Sequence, residues 1–143
     1  MTDGKTQAQI LLDAVLPFAE KMLAEHGEFF PLAGALSPSG EVVSVGGHDG
    51  REHPPSTEII ELLASGLRQG ANSGEYVATA LVYDVRVTPP TATEPTDAIA
   101  AELEHQDGYA VTVFFPYRLA NGQPELASPF ATAQSRAIFS MAG

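Results

Sequence analysis

The strongest constraint on the fold of this chain is an alternating pattern on both sides of Gln106-Asp107-Gly108. Large apolar residues alternate with polar or small ones before and after this turn, as in two strands that each bury one face. A three-residue loop with Gly108 at positive φ brings apolar residues opposite each other across the hairpin. The pairs it predicts are Leu103 with Val111, Ala101 with Val113, Ile99 with Phe115, and Glu102 with Thr112. A two-residue turn places Glu102 opposite Val113 instead, so we predict the three-residue loop.

Two segments have the apolar spacing of amphipathic helices. The first runs from about Lys5 to His26, and Gly27 is a suitable C-terminal cap. Pro17 removes a backbone donor inside it, so we expect a kink or a break just before this residue. The second helix begins at Ser56, a favourable N-cap, and ends at Gly70.

The remaining apolar segments favour strands joined by short turns, among them Asn121-Gly122. The predicted strands are Phe29–Ser37, Glu41–Val45, Tyr76–Val87, Asp97–His105, Tyr109–Tyr117 and a weaker one within Leu126–Ala133. Strands joined in this way pair antiparallel. We therefore predict a single α+β domain over residues 1–143, in the order α-β-β-α-β-β-β with room for one more strand. Its antiparallel sheet has five or six strands, with the two main helices on one face.

Composition excludes several classes of function. The chain has 7 Lys and Arg against 18 Asp and Glu, a net charge of −11, so it lacks the basic face that binds nucleic acid or an anionic membrane. It has no cysteine, which excludes thiolate catalysis and cysteine-ligated metals. Neither a phosphate-binding P-loop nor a hydrolase nucleophile elbow is present, and we predict no cofactor. The first residues do not resemble a secretory signal, so we expect a cytoplasmic protein.

One loop carries possible metal ligands. His48, Asp49 and His53 lie within the Gly- and Pro-rich segment between a strand and the second helix. Imidazole and carboxylate groups bind Zn²⁺ or Mn²⁺ in proteins. Their irregular spacing also fits a solvated polar loop, so both interpretations stay open.

The acidic residues of the hairpin form a second candidate site. Glu102 and Glu104 share one face of their strand. This face is either solvated, which discourages edge pairing, or a contact surface for a basic partner, or a carboxylate pair for acid–base chemistry. Tyr117 and Arg118 end the following strand, and such residues are frequent at pocket mouths and dimer interfaces. His105 is predicted to be a half-buried residue at the rim of the sheet.

Two stretches resemble small uncharacterised bacterial proteins of the domain-of-unknown-function kind. They are Phe18–Leu36 with the following Ser-Pro-Ser-Gly-Glu41, and Glu104–Tyr117. The resemblance implies a bacterial cytosolic α+β protein with no assigned activity, and it transfers no functional residue.

These observations predict a non-enzymatic binding or protein-interaction module, expected to be a homodimer. One alternative is a small metal- or acid–base-dependent hydrolase that uses the His48–His53 loop. Another is an acidic protein of the immunity or antitoxin type, which masks a basic protein partner.

Overall fold

Two helices and seven strands form the part of the chain described by the computed structural model, residues 4–27, 31–45, 56–90, 92–133 and 138–139. The elements in order are α1 Gly4–His26, β1 Leu32–Leu36, β2 Val42–Val45, α2 Ser56–Ser73, β3 Ala78–Val87, β4 Thr96–His105, β5 Ala110–Ala120, β6 Gln123–Leu126 and β7 Phe130–Ala133. The predicted α+β class and element order are confirmed. The strand count is seven rather than five or six, because β6 Gln123–Leu126 precedes the predicted weak last segment, which contains β7 Phe130–Ala133.

All strand pairs of the sheet are antiparallel, in the spatial order β2-β1-β3-β4-β5-β6. Strand β7 also pairs with β5. It lies opposite the first half of β5, with Val111 facing Ala133, while β6 lies opposite the second half, with Tyr117 facing Leu126. The two short strands therefore follow one another along one edge of β5.

The β4–β5 hairpin has the predicted register. Leu103 pairs with Val111, Ala101 with Val113, Ile99 with Phe115 and Glu102 with Thr112. Gly108 has a φ of 111°, and its N–H donates to the carbonyl of His105, 3.1 Å away. Matching of apolar faces was therefore sufficient to fix the register of this hairpin.

The two helices lie on opposite faces of the sheet, so the prediction that both lie on one face is wrong. Ala78, Ala80 and Val82 of β3 pack in the core beneath α1, whereas Leu81 packs in the core beneath α2. Successive residues of a strand point to opposite faces, so the two cores lie on the two sides of β3. The small side chains of β3 form a second buried face, which the sequence suggested only weakly.

Both helices continue past a residue that commonly interrupts or ends a helix. Of the kink or break predicted before Pro17, the break does not occur, because helix α1 continues through this residue. The helix ends at His26, just before Gly27 with its φ of 75°, as expected. Helix α2 continues past Gly70 to Ser73. Tyr76 packs directly on Gly70, where a side chain would collide with its ring. This glycine therefore permits a close contact instead of ending the helix.

Candidate binding site at the sheet corner

A cavity of about 370 Å³ lies between the middle of β5, the end of β6 and the connection from β3 to β4, and we call it the corner cavity. It is lined by Pro89, Thr96, Pro116, Tyr117, Arg118, Glu125, Leu126 and Ala127. The sequence predicted Tyr117 and Arg118 at a pocket mouth or a dimer interface, and both line this cavity. The contributions of Glu125 and Leu126 were not predicted, because they depend on how β6 folds back onto β5, and Pro89 joins them from the connection between β3 and β4.

The β5–β6 turn positions the charged residues of this cavity. Asn121 and Gly122 have φ values of 55° and 79°, the positive pair that a tight two-residue hairpin turn needs. The turn places Glu125 directly opposite Arg118. The Arg118 Nε donates to Glu125 Oε1 at 2.9 Å, although the two side chains remain 81% and 54% exposed. A pair this exposed is weak, so a competing charge can replace either partner at little cost.

Tyr117 lines the cavity and is buried, and its side chain belongs to the core beneath α1. Its hydroxyl donates to Asp84 Oδ1 across β4, at 2.8 Å. Burial raises the pKa of Tyr117 well above its usual value, and the hydrogen bond to Asp84 and the negative charges of Asp84 and Asp97 raise it further. The hydroxyl therefore stays protonated at neutral pH and acts as a donor.

Negative charge predominates at this end of the sheet. A second exposed cross-strand ion pair joins Arg86 of β3 to Asp97 of β4 at 3.3 Å. The exposed acidic residues described at this end of the sheet are Asp84, Glu94, Asp97 and Glu125. The exposed basic residues described there are Arg86 and Arg118. Each arginine is paired with a carboxylate, which leaves the negative charges of Asp84 and Glu94 in excess at this end of the sheet.

The other two predicted binding residues lie elsewhere. Glu102 and Glu104 are on the α2 side of β4, where Glu102 accepts a hydrogen bond from the Tyr83 hydroxyl. Burial, followed by this bond and the charge of Glu102, raises the pKa of Tyr83 above its usual value. Glu104 is only 1% exposed, so the interpretation of a solvated face is wrong for this residue.

The burial of Glu104 has a long-range cause. Its carboxylate accepts hydrogen bonds from the backbone N–H groups of Ile138 and Phe139, at 3.0 to 3.1 Å. Both donors are backbone groups more than 30 residues further along the chain. No sequence pattern identifies such a partner, which is why the burial was not predicted.

The ring of His105 is held by contacts within the fold. It is buried rather than half-buried, and its Nδ1 accepts the N–H of Asp107 at 3.0 Å. Its Nε2 contacts the side-chain oxygen of Gln7 on α1. These contacts connect the hairpin to α1.

The predicted metal ligands His48, Asp49 and His53 lie outside the described residues. Among the residues that the structure does describe, no group of three His, Cys, Asp or Glu side chains could hold a metal ion. Metal binding by this loop stays a prediction, which metal analysis of the purified protein and of His48→Ala can test.

Comparison with protein families, curated proteins and solved structures finds no match to this chain. The resemblance to small bacterial proteins therefore adds no activity to the structural description. Within the described ranges, neither helix is sufficiently long and apolar to cross a lipid bilayer.

Proposed function

We propose that this protein is a non-enzymatic binding module, whose corner cavity holds a cationic segment of another protein. The observation that carries the proposal is an apolar-lined cavity whose charged surroundings are predominantly acidic, in a chain of net charge −11. Lysine and arginine have an apolar stem and a charged end. Such a side chain can pack its stem on Pro116 and Leu126 while its charge approaches Glu125.

The internal hydrogen bonds of the acidic residues support binding rather than catalysis. Glu102 accepts from Tyr83, Glu104 accepts from two backbone N–H groups, and Asp84 accepts from Tyr117. A general base needs a free acceptor within reach of the substrate. These carboxylates instead maintain the position of neighbouring groups, which leaves Glu94 and the weakly paired Glu125 among the exposed acidic residues for a partner.

The cellular location and the oligomeric state of the module are part of the same proposal. The resemblance to small bacterial proteins supports a bacterial cytoplasm. A homodimer is supported by β2, a strand at the end of the sheet whose residues Val42–Val45 carry no charge. Edge strands without charged residues are able to pair with other strands. An acidic protein that masks a basic partner is one specific form of this function.

Peptide binding tests the proposal. We expect a fluorescently labelled octapeptide of alternating lysine and leucine to bind the full chain, as measured by anisotropy. The same peptide with glutamate in place of lysine should not bind. Raising the salt from 50 to 500 mM should weaken binding, because exposed charges are screened. Equal binding of both peptides would contradict an acidic site.

Two matched pairs of variants locate the site. Leu126→Ala removes an apolar wall of the cavity, whereas Leu119→Ala removes an equally exposed leucine of the same hairpin that does not line it. Glu125→Gln removes the carboxylate of the cavity, and Glu61→Gln removes an exposed carboxylate of α2. We expect the affinity to fall at least fivefold for the cavity variants and less than twofold for the controls. Equal losses within a pair would exclude the corner cavity.

A further inference from the structure

Another cavity, of about 420 Å³, lies at the C-terminal end of α2, and we call it the α2 cavity. It is lined by Gln69 and Ser73 of α2, by Glu75 and Tyr76 just after the helix, and by Val45 at the end of β2. It shares no lining residue with the corner cavity. Its volume falls in the range of sites that bind small molecules.

The polar side chains of the α2 cavity offer hydrogen-bond acceptors. The Ser73 hydroxyl donates its proton to the carbonyl of Gly70, 3.1 Å away, so its oxygen is left to accept. The Glu75 carboxylate is exposed, and within the described ranges it forms no hydrogen bond or ion pair. Gln69 adds an amide oxygen. No lysine or arginine lines the cavity, so its chemistry favours a ligand that donates hydrogen bonds and carries a positive charge.

The end of α2 adds to the negative potential of the cavity. The last turn of this helix contains no basic residue. The carbonyl groups that lack a partner within the helix give its C-terminal end a partial negative charge, which favours a cation. The Gly70 carbonyl accepts the backbone N–H groups of Glu75 and Tyr76 at 2.9 and 3.2 Å. These two bonds hold the backbone of Glu75 at the negative end of the helix.

The remaining wall of the cavity is apolar. The ring of Tyr76 packs directly on Gly70, which fixes its position beside the polar groups. An aromatic ring attracts a cation that lies over its face, and it also offers an apolar surface. Val45 extends this surface from the edge strand. The cavity therefore combines a cation-binding end with room for a hydrocarbon group.

We infer that the α2 cavity binds a small organic amine in its primary ammonium form. The three N–H donors of the ammonium group match the oxygens of Gln69, Ser73 and Glu75, and the apolar body packs on Tyr76 and Val45. A bare metal ion fits less well, because Ca²⁺ takes about six to eight oxygen ligands and would leave most of the cavity empty. This site is separate from the corner cavity, so the two proposals can fail independently.

Nuclear magnetic resonance of the full chain tests the inference with three probes. Hexylamine, hexan-1-ol and hexanoate have hydrocarbon chains of similar length and differ in the charge of the end group. At pH 7 we expect hexylamine to shift the amide signals of Gly66, Gly70 and Tyr76, with an affinity at least fivefold higher than that of hexan-1-ol. Hexanoate should leave these signals unchanged. Equal responses to the three probes would show that the cavity does not recognise the ammonium group and would overturn the inference.

Matched variants locate the bound amine. Glu75→Gln removes the carboxylate of the α2 cavity, whereas Glu61→Gln removes an exposed carboxylate elsewhere on α2. We expect the affinity for hexylamine to fall at least fivefold in the first variant and less than twofold in the second. Glu125→Gln, which alters the corner cavity, should also change it less than twofold. An unchanged affinity in Glu75→Gln, or a loss of the hexylamine shifts in Glu125→Gln, would exclude the α2 cavity as the site.

Discussion

The carboxylate of Asp107 accepts a hydrogen bond from the backbone N–H of Gly4, 2.9 Å away and 103 positions earlier in the chain. Helix α1 has no acidic residue in its first turn, so Asp107 supplies the negative charge that a helix N-terminus favours. The same carboxylate accepts the N–H of Tyr109 at 3.0 Å. The tip of the β4–β5 hairpin and the start of α1 therefore stabilise each other.

Asp107→Ala should destabilise the domain by about 1 kcal/mol, as loss of a helix cap does. The N–H of Tyr109 is the main cause that lowers the pKa of Asp107, and His105 and the N–H of Gly4 contribute. A carboxyl whose pKa is lowered by folding stabilises the fold above its unfolded pKa, and this stabilisation is lost as the pH falls through the folded pKa. Urea unfolding of both proteins should therefore differ at pH 7 and converge in acid. A difference that persists at pH 2 would contradict the role of the charge.

Gly108→Val should cost about 1 to 3 kcal/mol, because a β-branched residue is strained at positive φ. No described atom lies within 4 Å of the position of an added Cβ at Gly108, so the cost comes from the backbone alone. Denaturant unfolding measures it. A loss below about 0.5 kcal/mol, the range of ordinary surface substitutions, would mean that the loop conformation differs from the one described.

Stability should decrease in alkali because of two tyrosines. Folding raises the pKa of Tyr83 and of Tyr117, chiefly through burial. A group whose pKa is raised by folding stabilises the fold below its unfolded pKa, here about 10, and this stabilisation is lost as the pH rises further. Absorbance at the phenolate band should show that these two hydroxyls ionise at a higher pH than an ordinary tyrosine, and that they do so as the protein unfolds. The double variant Tyr83→Phe, Tyr117→Phe should lose the late step, and its persistence would contradict the assignment.

Glu104→Gln should destabilise the domain far more than Glu102→Gln. A glutamine at this position has one N–H₂ group in place of a carboxylate oxygen, so it cannot accept from the backbone N–H groups of both Ile138 and Phe139 with both of its ends. Loss of hydrogen bonds to a buried charge costs about 1.5 to 3 kcal/mol of folding free energy. Glu102 is half-buried and its hydroxyl partner can rotate to suit a glutamine, so we expect a loss below about 1 kcal/mol. Thermal and urea unfolding give the ranking. Equal losses would show that the bonds to Ile138 and Phe139 contribute little.

Two glycines of α2 should respond in opposite directions to alanine. An added Cβ at Gly66 meets Val45 at an ordinary 3.7 Å, so Gly66→Ala should stabilise the domain by about 0.5 to 1 kcal/mol through helix propensity. An added Cβ at Gly70 collides with the ring of Tyr76, so Gly70→Ala should destabilise it by about 1 to 3 kcal/mol. Melting temperatures of the two variants provide the comparison. Stabilisation by Gly70→Ala would mean that Tyr76 does not pack there.

The hairpin was predictable because its constraint is local. Leu103 and Val111 lie close in sequence, and only one register keeps the apolar residues of the two strands together. The side of the sheet on which each helix packs was not predictable in the same way. Ala78 and Ala80 have small side chains that suit either a solvated face or the close approach of a helix, and nothing local distinguishes the two.

The candidate site was only partly predictable for a related reason. Tyr117 and Arg118 were found because they end an apolar strand. The opposite residue Glu125 depends on the β5–β6 turn, and the environment of Glu104 depends on backbone donors near the C-terminus. Contacts made by backbone groups leave no mark in the sequence, so a carboxylate on an alternating strand appears solvated even when it is buried.

The position of Ile138 and Phe139 in the core beneath α2 has a consequence for synthesis of the chain on the ribosome. Among the described residues, the last member of the core beneath α1 to be synthesised is Tyr117, and the last member of the core beneath α2 is Phe139. At about 5 to 20 residues per second, the roughly 20 intervening residues separate the two events by about 1 to 4 s. Packing of the layer beneath α2 therefore depends on a later part of the chain than packing of the layer beneath α1.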